Sequence, residues 1–305
     1  MKNYISIDIG GTAIKYGIIA EDASILSRSE MPTEAQKGGP AILEKVTDIA
    51  GKLCKVAEVS GICISTAGMV DPKRGEVFHS APLIPRYAGT NFKEALEGRF
   101  GVPCEVENDV NCAGLAEYIS GAGQGSRSMV MLTVGTGIGG CIVLGGQVLH
   151  GFGNSACEVG YMHMRGSDFQ TLGAASILTE KVAAQKGESR ELWSGLRIFT
   201  EAKRGDAVCC RAIDEMVYVL GEGIANICYV IDPQVVVLGG GIMAEEEYLR
   251  GRLETALRMY LIDSIASHVK LKFAKHRNDA GMLGAFYHFM QEHQPGKETA
   301  GWNTM

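Results

Sequence analysis

Residues 8–15, DIGGTAIK, place two adjacent glycines between apolar runs, with a carboxylate before them and a lysine after. Upstream, Lys2 to Ile9 alternates apolar and polar residues; downstream, Ala13 to Ala20 is a second apolar run, so the segment reads as strand, tight turn, strand. Paired glycines admit positive φ and leave backbone N–H groups unshielded, and a turn of that kind binds anions, phosphate above all. An ordinary hairpin with a buried edge has the same pattern. Other stretches have to decide between the two.

The chain has 305 residues, 46% hydrophobic and 21% charged, enough for one large or two ordinary domains with a substantial core. Its 40 glycines cluster at 10–11, 135–140, 145–146 and 239–241, between apolar runs, which suggests several ligand-facing turns. A formal net charge of −6 argues against a general nucleic-acid or membrane surface. The nine cysteines form no CxxC pair and read as reduced thiols buried as small hydrophobes. With no signal-peptide pattern at the start and no membrane-length apolar run, the expected location is the cytoplasm.

Periodicity predicts helices around 41–57, 91–100, 110–119, 174–187, 206–231, 244–260 and 280–290, with strands at 59–65, 103–106, 129–134, 140–144, 147–149, 235–238 and 269–273. Both halves open with strand, glycine turn and strand. The expectation is an α/β protein of two related domains facing a cleft, 1–118 and 119–291, with the last helix packed back on the first domain and a polar tail at 292–305.

Four constellations could carry chemistry. VGTGIGG, 134–140, has the spacing of a dinucleotide fingerprint, but that motif needs a helix directly after its glycines and here a β-branched apolar run follows; it reads as a second phosphate-cradling hairpin with Thr136 as hydroxyl donor. VLGGGI, 237–242, is a plain strand-to-helix turn or, beside the other two, a glycine surface for a flat adenine built from Gly239, Gly240 and Gly241. END, 107–109, closes a strand and opens a helix; Asp109 there is either a cap or a carboxylate that takes a proton from a substrate hydroxyl. GFGNSACEVGYMHM, 151–164, presents Asn154, Glu158 and Tyr161 in a glycine-broken segment suited to a polyhydroxylated ligand, whereas His163, with no cysteine near it, reads as a surface or packed histidine.

Taken together, DIGGTAIK, STAGMVD, ENDVNCAGLAE, VGTGIGG, ACEVGYM and DPQVVVLGGGI resemble the ROK family of sugar kinases, within the actin-like ATPase and hexokinase superfamily, from Asp8 to about Phe289. The resemblance implies two ribonuclease-H-like domains, ATP with Mg²⁺, a small-molecule sugar as substrate, and a homodimer. It implies Asp109 as catalytic base, Asn108 and Glu158 as sugar ligands, and Gly10, Gly11, Thr12, Thr136 and Gly137 as phosphate turns. Asp8 would orient water around Mg²⁺. Lys15 is either a phosphate contact or a solvated strand lysine. Ser65 and Gly68, in STAGMVD, join Asn154 and Tyr161 as further substrate-binding candidates.

Two departures follow. Where the family commonly has E-x-G-H and then a zinc-binding cysteine cluster, this chain has Tyr161 at the histidine and no cysteine from 165 to 175. Zinc is expected to be absent, and the changed rim admits a different or larger sugar, such as glucose, N-acetylmannosamine or a β-glucoside. A sugar-sensing transcriptional regulator of the same family is disfavoured because only seven residues precede Asp8, and a non-catalytic actin-like nucleotide-binding protein because Asn108, Asp109 and Glu158 are all present.

Overall fold

The structure, a computed structural model, describes residues 2–80 and 84–293. The expected polar tail lies almost wholly outside the described residues. The chain forms two compact units: the first takes residues up to Ile119, Gly146–Ala156 and the chain from Asn278 onward, and the second takes Ser120–Gly145 and Cys157–Arg277.

In the first unit, β1 (Asn3–Ile9), β2 (Ala13–Ala20) and β3 (Ile25–Pro32) form an antiparallel meander. Helix α1 (Gly39–Leu53) follows and returns the chain to β4 (Gly61–Thr66), parallel to β1. A small sheet of β5 (Met69–Asp71), β6 (Glu76–His79) and β7 (Thr90–Asn91) leads into α2 (Phe92–Phe100), which Asn91 caps by accepting the Glu94 N–H. Then β8 (Cys104–Asn108) pairs parallel with β4, and α3 (Asp109–Ser120) starts with no intervening loop. Ile5, Ile7 and Ile9 point to one face of β1, where they are fully buried with Ile42, Val46 and Leu96.

The second unit repeats the plan. A hairpin of β9 (Ser128–Val134) and β10 (Ile138–Leu144) comes first; the short β11 (Gln147–Val148) belongs by its contacts to the first unit. A two-residue hairpin, β12 (His163–Met164) and β13 (Ser167–Asp168), precedes α4 (Phe169–Gly173), α5 (Ala175–Lys186) and α6 (Gly195–Lys203). The long α7 (Ala207–Ile231) is capped by Asp206, which accepts the Val208 and Cys209 N–H groups. Strand β14 (Val235–Gly239) then pairs parallel with β9, α8 (Glu246–Tyr260) and α9 (Asp263–Ala266) follow, and β15 (Lys270–Phe273) pairs parallel with β14. The sheets thus share one order, a hairpin followed by parallel strands: β2-β1-β4-β8 in the first unit and β10-β9-β14-β15 in the second.

The chain ends its described course in α10 (Ala280–His293), which covers the second face of the first sheet. Ser6 donates to the Met282 carbonyl at 2.7 Å, and Tyr4 packs against Phe286 and Phe289 with ring centroids 5.4 and 5.3 Å away. Glycines on both partners allow this approach: a Cβ on Gly61 would fall 2.2 Å from the Phe289 ring, and one on Gly284 would fall 1.8 Å from the Cys112 carbonyl oxygen. The sequence reading lacks β3, the sheet β5–β7, the hairpin β12–β13 and α6. β3 is an exposed edge strand and therefore carries no apolar alternation.

Candidate functional site

In the first unit, the C-terminal ends of the parallel strands gather the candidate residues. Register sets Lys15, Asp8, Ser65 and Glu107 side by side across β2, β1, β4 and β8. Ser65 Oγ donates to Asp8 Oδ1 at 2.7 Å, and the start of α10 lies against the same carboxylate: a Cβ on Gly281 would meet its atoms at 2.3–2.6 Å. Burial pushes the Asp8 carboxyl above its ordinary value, against the opposing Ser65 bond and Lys15 charge. An oxygen-donor carboxylate of this kind suits a hard cation, whose charge would favour its ionised form. Lys15 Nζ also approaches the Asn278 carbonyl, at 3.5 Å.

At the end of β8 the chain passes from Asn108 straight into α3, so its side chains serve the helix terminus. Asn108 Oδ1 accepts the Val110 and Asn111 N–H groups at 2.9 and 3.0 Å, and its Nδ2 donates to the Gly68 carbonyl and to Asp109 Oδ1 at 2.9 and 3.0 Å. These four bonds use the full valence of an amide side chain, so Asn108 is the helix cap and a strut for Asp109. Asp109 Oδ1 also accepts the Val110 N–H at 2.9 Å, and the carboxylate stands at the N-terminal, positive end of the helix dipole. The Asp109 charge, after burial, helps hold the Tyr87 phenol above its usual range; that hydroxyl is bonded to Thr66 Oγ1 at 2.5 Å. Gly68 is required where it stands: its φ is +97°, and a Cβ would sit 2.9 Å from the His79 carbonyl oxygen.

Beside this pair lies a buried carboxylate that the sequence reading quoted but gave no role. Glu107 Oε1 accepts the Asn108 N–H at 2.7 Å and Asn111 Nδ2 at 3.1 Å, while Oε2 accepts His150 Nε2 at 2.5 Å. Burial opposes the charge, but the His150 hydrogen bond and the His288 and His150 charges outweigh it and hold Glu107 below its ordinary value. His150 in turn is raised by that bond. The contact ties 146–156, which belongs to the first unit, to the end of β8, and Asn154, at φ +55°, lies in that segment.

The glycine turns are not uniform. Gly10 donates its N–H to the Ala13 carbonyl at 3.0 Å, so this part of the turn is spent internally, and Gly11 and Thr12 form its exposed part. In the second unit Gly135 donates to the Gly137 carbonyl at 2.9 Å, and Thr136 is exposed between them. A Cβ on Gly137 would meet Gln170 Oε1 at 2.6 Å, which sets an amide beside that turn that the sequence gave no reason to pick. Gly240, at φ +103°, backs onto Val134, where a Cβ would lie 2.2 Å from the carbonyl oxygen; Gly239 packs on Met131, and Gly241 is open. The turn after β14 thus lies against the end of β9 that leads into Gly135–Gly137. Glu158 precedes a single helical turn at Val159–Tyr161, and the exposed Tyr161 is its last residue.

Among the described residues no group of three or more His, Cys, Asp or Glu side chains is placed to hold a metal, and no helix is long and apolar enough to cross a membrane. The ROK family profile matches residues 4–292. A Clostridium perfringens protein described as uncharacterised is 50% identical over 291 residues, 95% of this chain and 99% of the relative. A Listeria monocytogenes beta-glucoside kinase is 34% identical over 295 residues, 94% of this chain and 97% of the relative. The crystal structure of a ROK family glucokinase from Streptomyces griseus in complex with glucose and AMPPNP superposes with a TM-score of 0.81 at 27% identity, covering 93% of this chain and 97% of that one.

Proposed function

The chain belongs to the ROK family and is a carbohydrate kinase of the actin-like ATPase fold, and from that premise we propose that it transfers the γ-phosphoryl group of Mg·ATP to a hydroxyl of a hexose or glycoside, with Asp109 as general base. The observation that carries this reading is the placement of Asp109 at a parallel strand's C-terminal end, braced by Asn108 and the first N–H groups of α3. A carboxylate so held is fixed in direction. It accepts the proton of the attacking hydroxyl as the oxygen bonds to phosphorus and the bond to ADP breaks.

The remaining residues orient. Asp8, through water, would hold the magnesium ion, which supplies neutralisation of charge on the phosphates. Gly11 and Thr12 are assigned to phosphate. Within the second unit, Thr136 and Gly137 are assigned to phosphate and the turn Gly239–Gly241 to the adenine side of the nucleotide. Asn154, Glu158 and Tyr161 are assigned to the sugar. The named activity of the Listeria relative favours a glycoside, and the glucose and AMPPNP bound to the Streptomyces enzyme favour a hexose and ATP.

ADP release with Mg·ATP, measured against glucose, N-acetylmannosamine, N-acetylglucosamine, fructose, cellobiose and gentiobiose, tests the reading. Sugar-dependent turnover on one of them is the expected outcome. Protein that binds ATP yet releases no ADP with any hexose or β-glucoside would overturn the substrate assignment.

A further inference from the structure

The segment 150–156 is a closed loop. Ala156 donates its N–H to the His150 carbonyl at 3.0 Å, which joins the loop at its base, and between them Phe152 is fully exposed and Asn154 takes a positive φ of 55°. The residue at the base is also the residue held by Glu107. One Glu107 oxygen receives His150 Nε2, while the other receives the Asn108 N–H and Asn111 Nδ2, so a single buried carboxylate fastens both the loop and the strand end that carries Asn108 and Asp109. A third segment closes on it: His288 of α10, only 4% exposed, sets Nδ1 3.9 Å from the Glu107 oxygen that takes His150, and its buried Nε2 has no hydrogen-bond partner among the described residues.

A buried carboxylate with two imidazoles against it is costly unless it is paired, and removing one partner leaves a desolvated charge. With His150 charged the contact is an ion pair as well as a hydrogen bond; with His150 neutral only a hydrogen bond from Nε2–H is left, and with the imidazole removed the hold of Glu107 on the loop is lost. We propose that His150 is a positioning residue that, through Glu107, fixes the loop 150–156 relative to Asn108 and Asp109 and so sets the affinity for the sugar. This rests on the reading of Asn154 as a sugar contact. The charged groups acting on His150 are Glu107 on β8 and Glu292 on α10, and His288 of α10 approaches the same Glu107 oxygen. Because the bond to Glu107 raises His150, the tie is strongest below the ordinary imidazole value of 6.5 and weakens as pH rises through the raised value.

The test uses the full-length protein with His150→Gln and His150→Lys. Kinetics with the sugar that turns over should show KM for the sugar raised roughly tenfold in His150→Gln, with kcat and KM for ATP near wild type. KM for the sugar in the wild type should rise on going to alkaline pH, and that rise should vanish in His150→Lys, which keeps a cation at all working pH. Hydrogen exchange of amides 151–156, measured without any substrate, should quicken roughly tenfold in His150→Gln and, in the wild type, on raising the pH after correction for intrinsic exchange. Equal exchange at 151–156 in wild type and His150→Gln overturns the proposal whether or not any sugar is turned over. Unchanged exchange elsewhere with a raised KM supports it. If no sugar reacts but exchange responds as stated, the substrate assignment fails while the tie between loop and strand stands.

Discussion

Asp8 shows how one side chain is set by its neighbours. Burial drives its carboxyl upward while Ser65 and Lys15 pull it back, and α10 comes near enough that only a glycine fits at 281. Gly281→Ala would put a methyl group 2.3–2.6 Å from the carboxylate atoms. Since that carboxylate is enclosed, either it or the helix start must shift, and misplacement of about 1 Å in an active site can cost ~10²-fold. The expected result is a fall in kcat/KM with Mg·ATP far larger than the loss of thermal stability, measured by steady-state kinetics beside a melting curve. The Glu107–His150 pair makes a second prediction, for stability against pH. Glu107 is depressed, so its contribution is present above the ordinary carboxylate value of 4.5 and lost as pH falls through the lower folded value. His150 is raised, so its contribution is present below 6.5 and lost as pH rises through the higher folded value. Denaturation of wild type against His150→Gln should therefore differ most between pH 4.5 and 6.5, and the difference should shrink progressively as pH falls through the lowered Glu107 value or rises through the raised His150 value.

At the scale of elements, α10 decides whether the first sheet has one covered face or two. Phe286 is 2% exposed and packs edge-on to Tyr4, so Phe286→Ala removes a buried ring and leaves a cavity worth ~3–5 kcal/mol. Urea denaturation monitored by circular dichroism should show that loss; a change below about 1 kcal/mol would mean that the helix does not cover the sheet as described. The sequence announces α10, β1 and β2 because a buried face writes a period into the apolar residues. It is silent on β3, whose ILSRSEMP is exposed on an edge, and on the two-residue strands, which are too short to carry a period. Asp109 is legible as a strand-end carboxylate, but its bracing is legible only once Gly68, forty residues away, is seen to accept from Asn108. The link from Glu107 to His150 spans 43 residues and two side chains with many other uses, so nothing local in the sequence distinguishes it.

On the scale of the whole molecule, the same strand plan occurs twice, and in each unit candidate groups stand at the C-terminal ends of parallel strands: Asp8, Ser65 and Asn108 in the first, the Gly239–Gly241 turn in the second. Open α/β sheets bind ligands at such ends because helix N-termini and loop N–H groups converge there. The glycine positions divide between packing and ligand approach in a way the sequence could not resolve: Gly240 backs onto Val134, whereas Gly11 and Gly241 are open. The central claim remains that one carboxylate, Asp109, takes the proton. Its most direct test is the ratio of kcat for wild type and Asp109→Asn on the sugar that the wild type phosphorylates, with melting temperature and ATP affinity measured on both. The account predicts a loss of ~10²–10⁴-fold in kcat, with both of those properties retained. Near-normal turnover by a folded Asp109→Asn protein would contradict it.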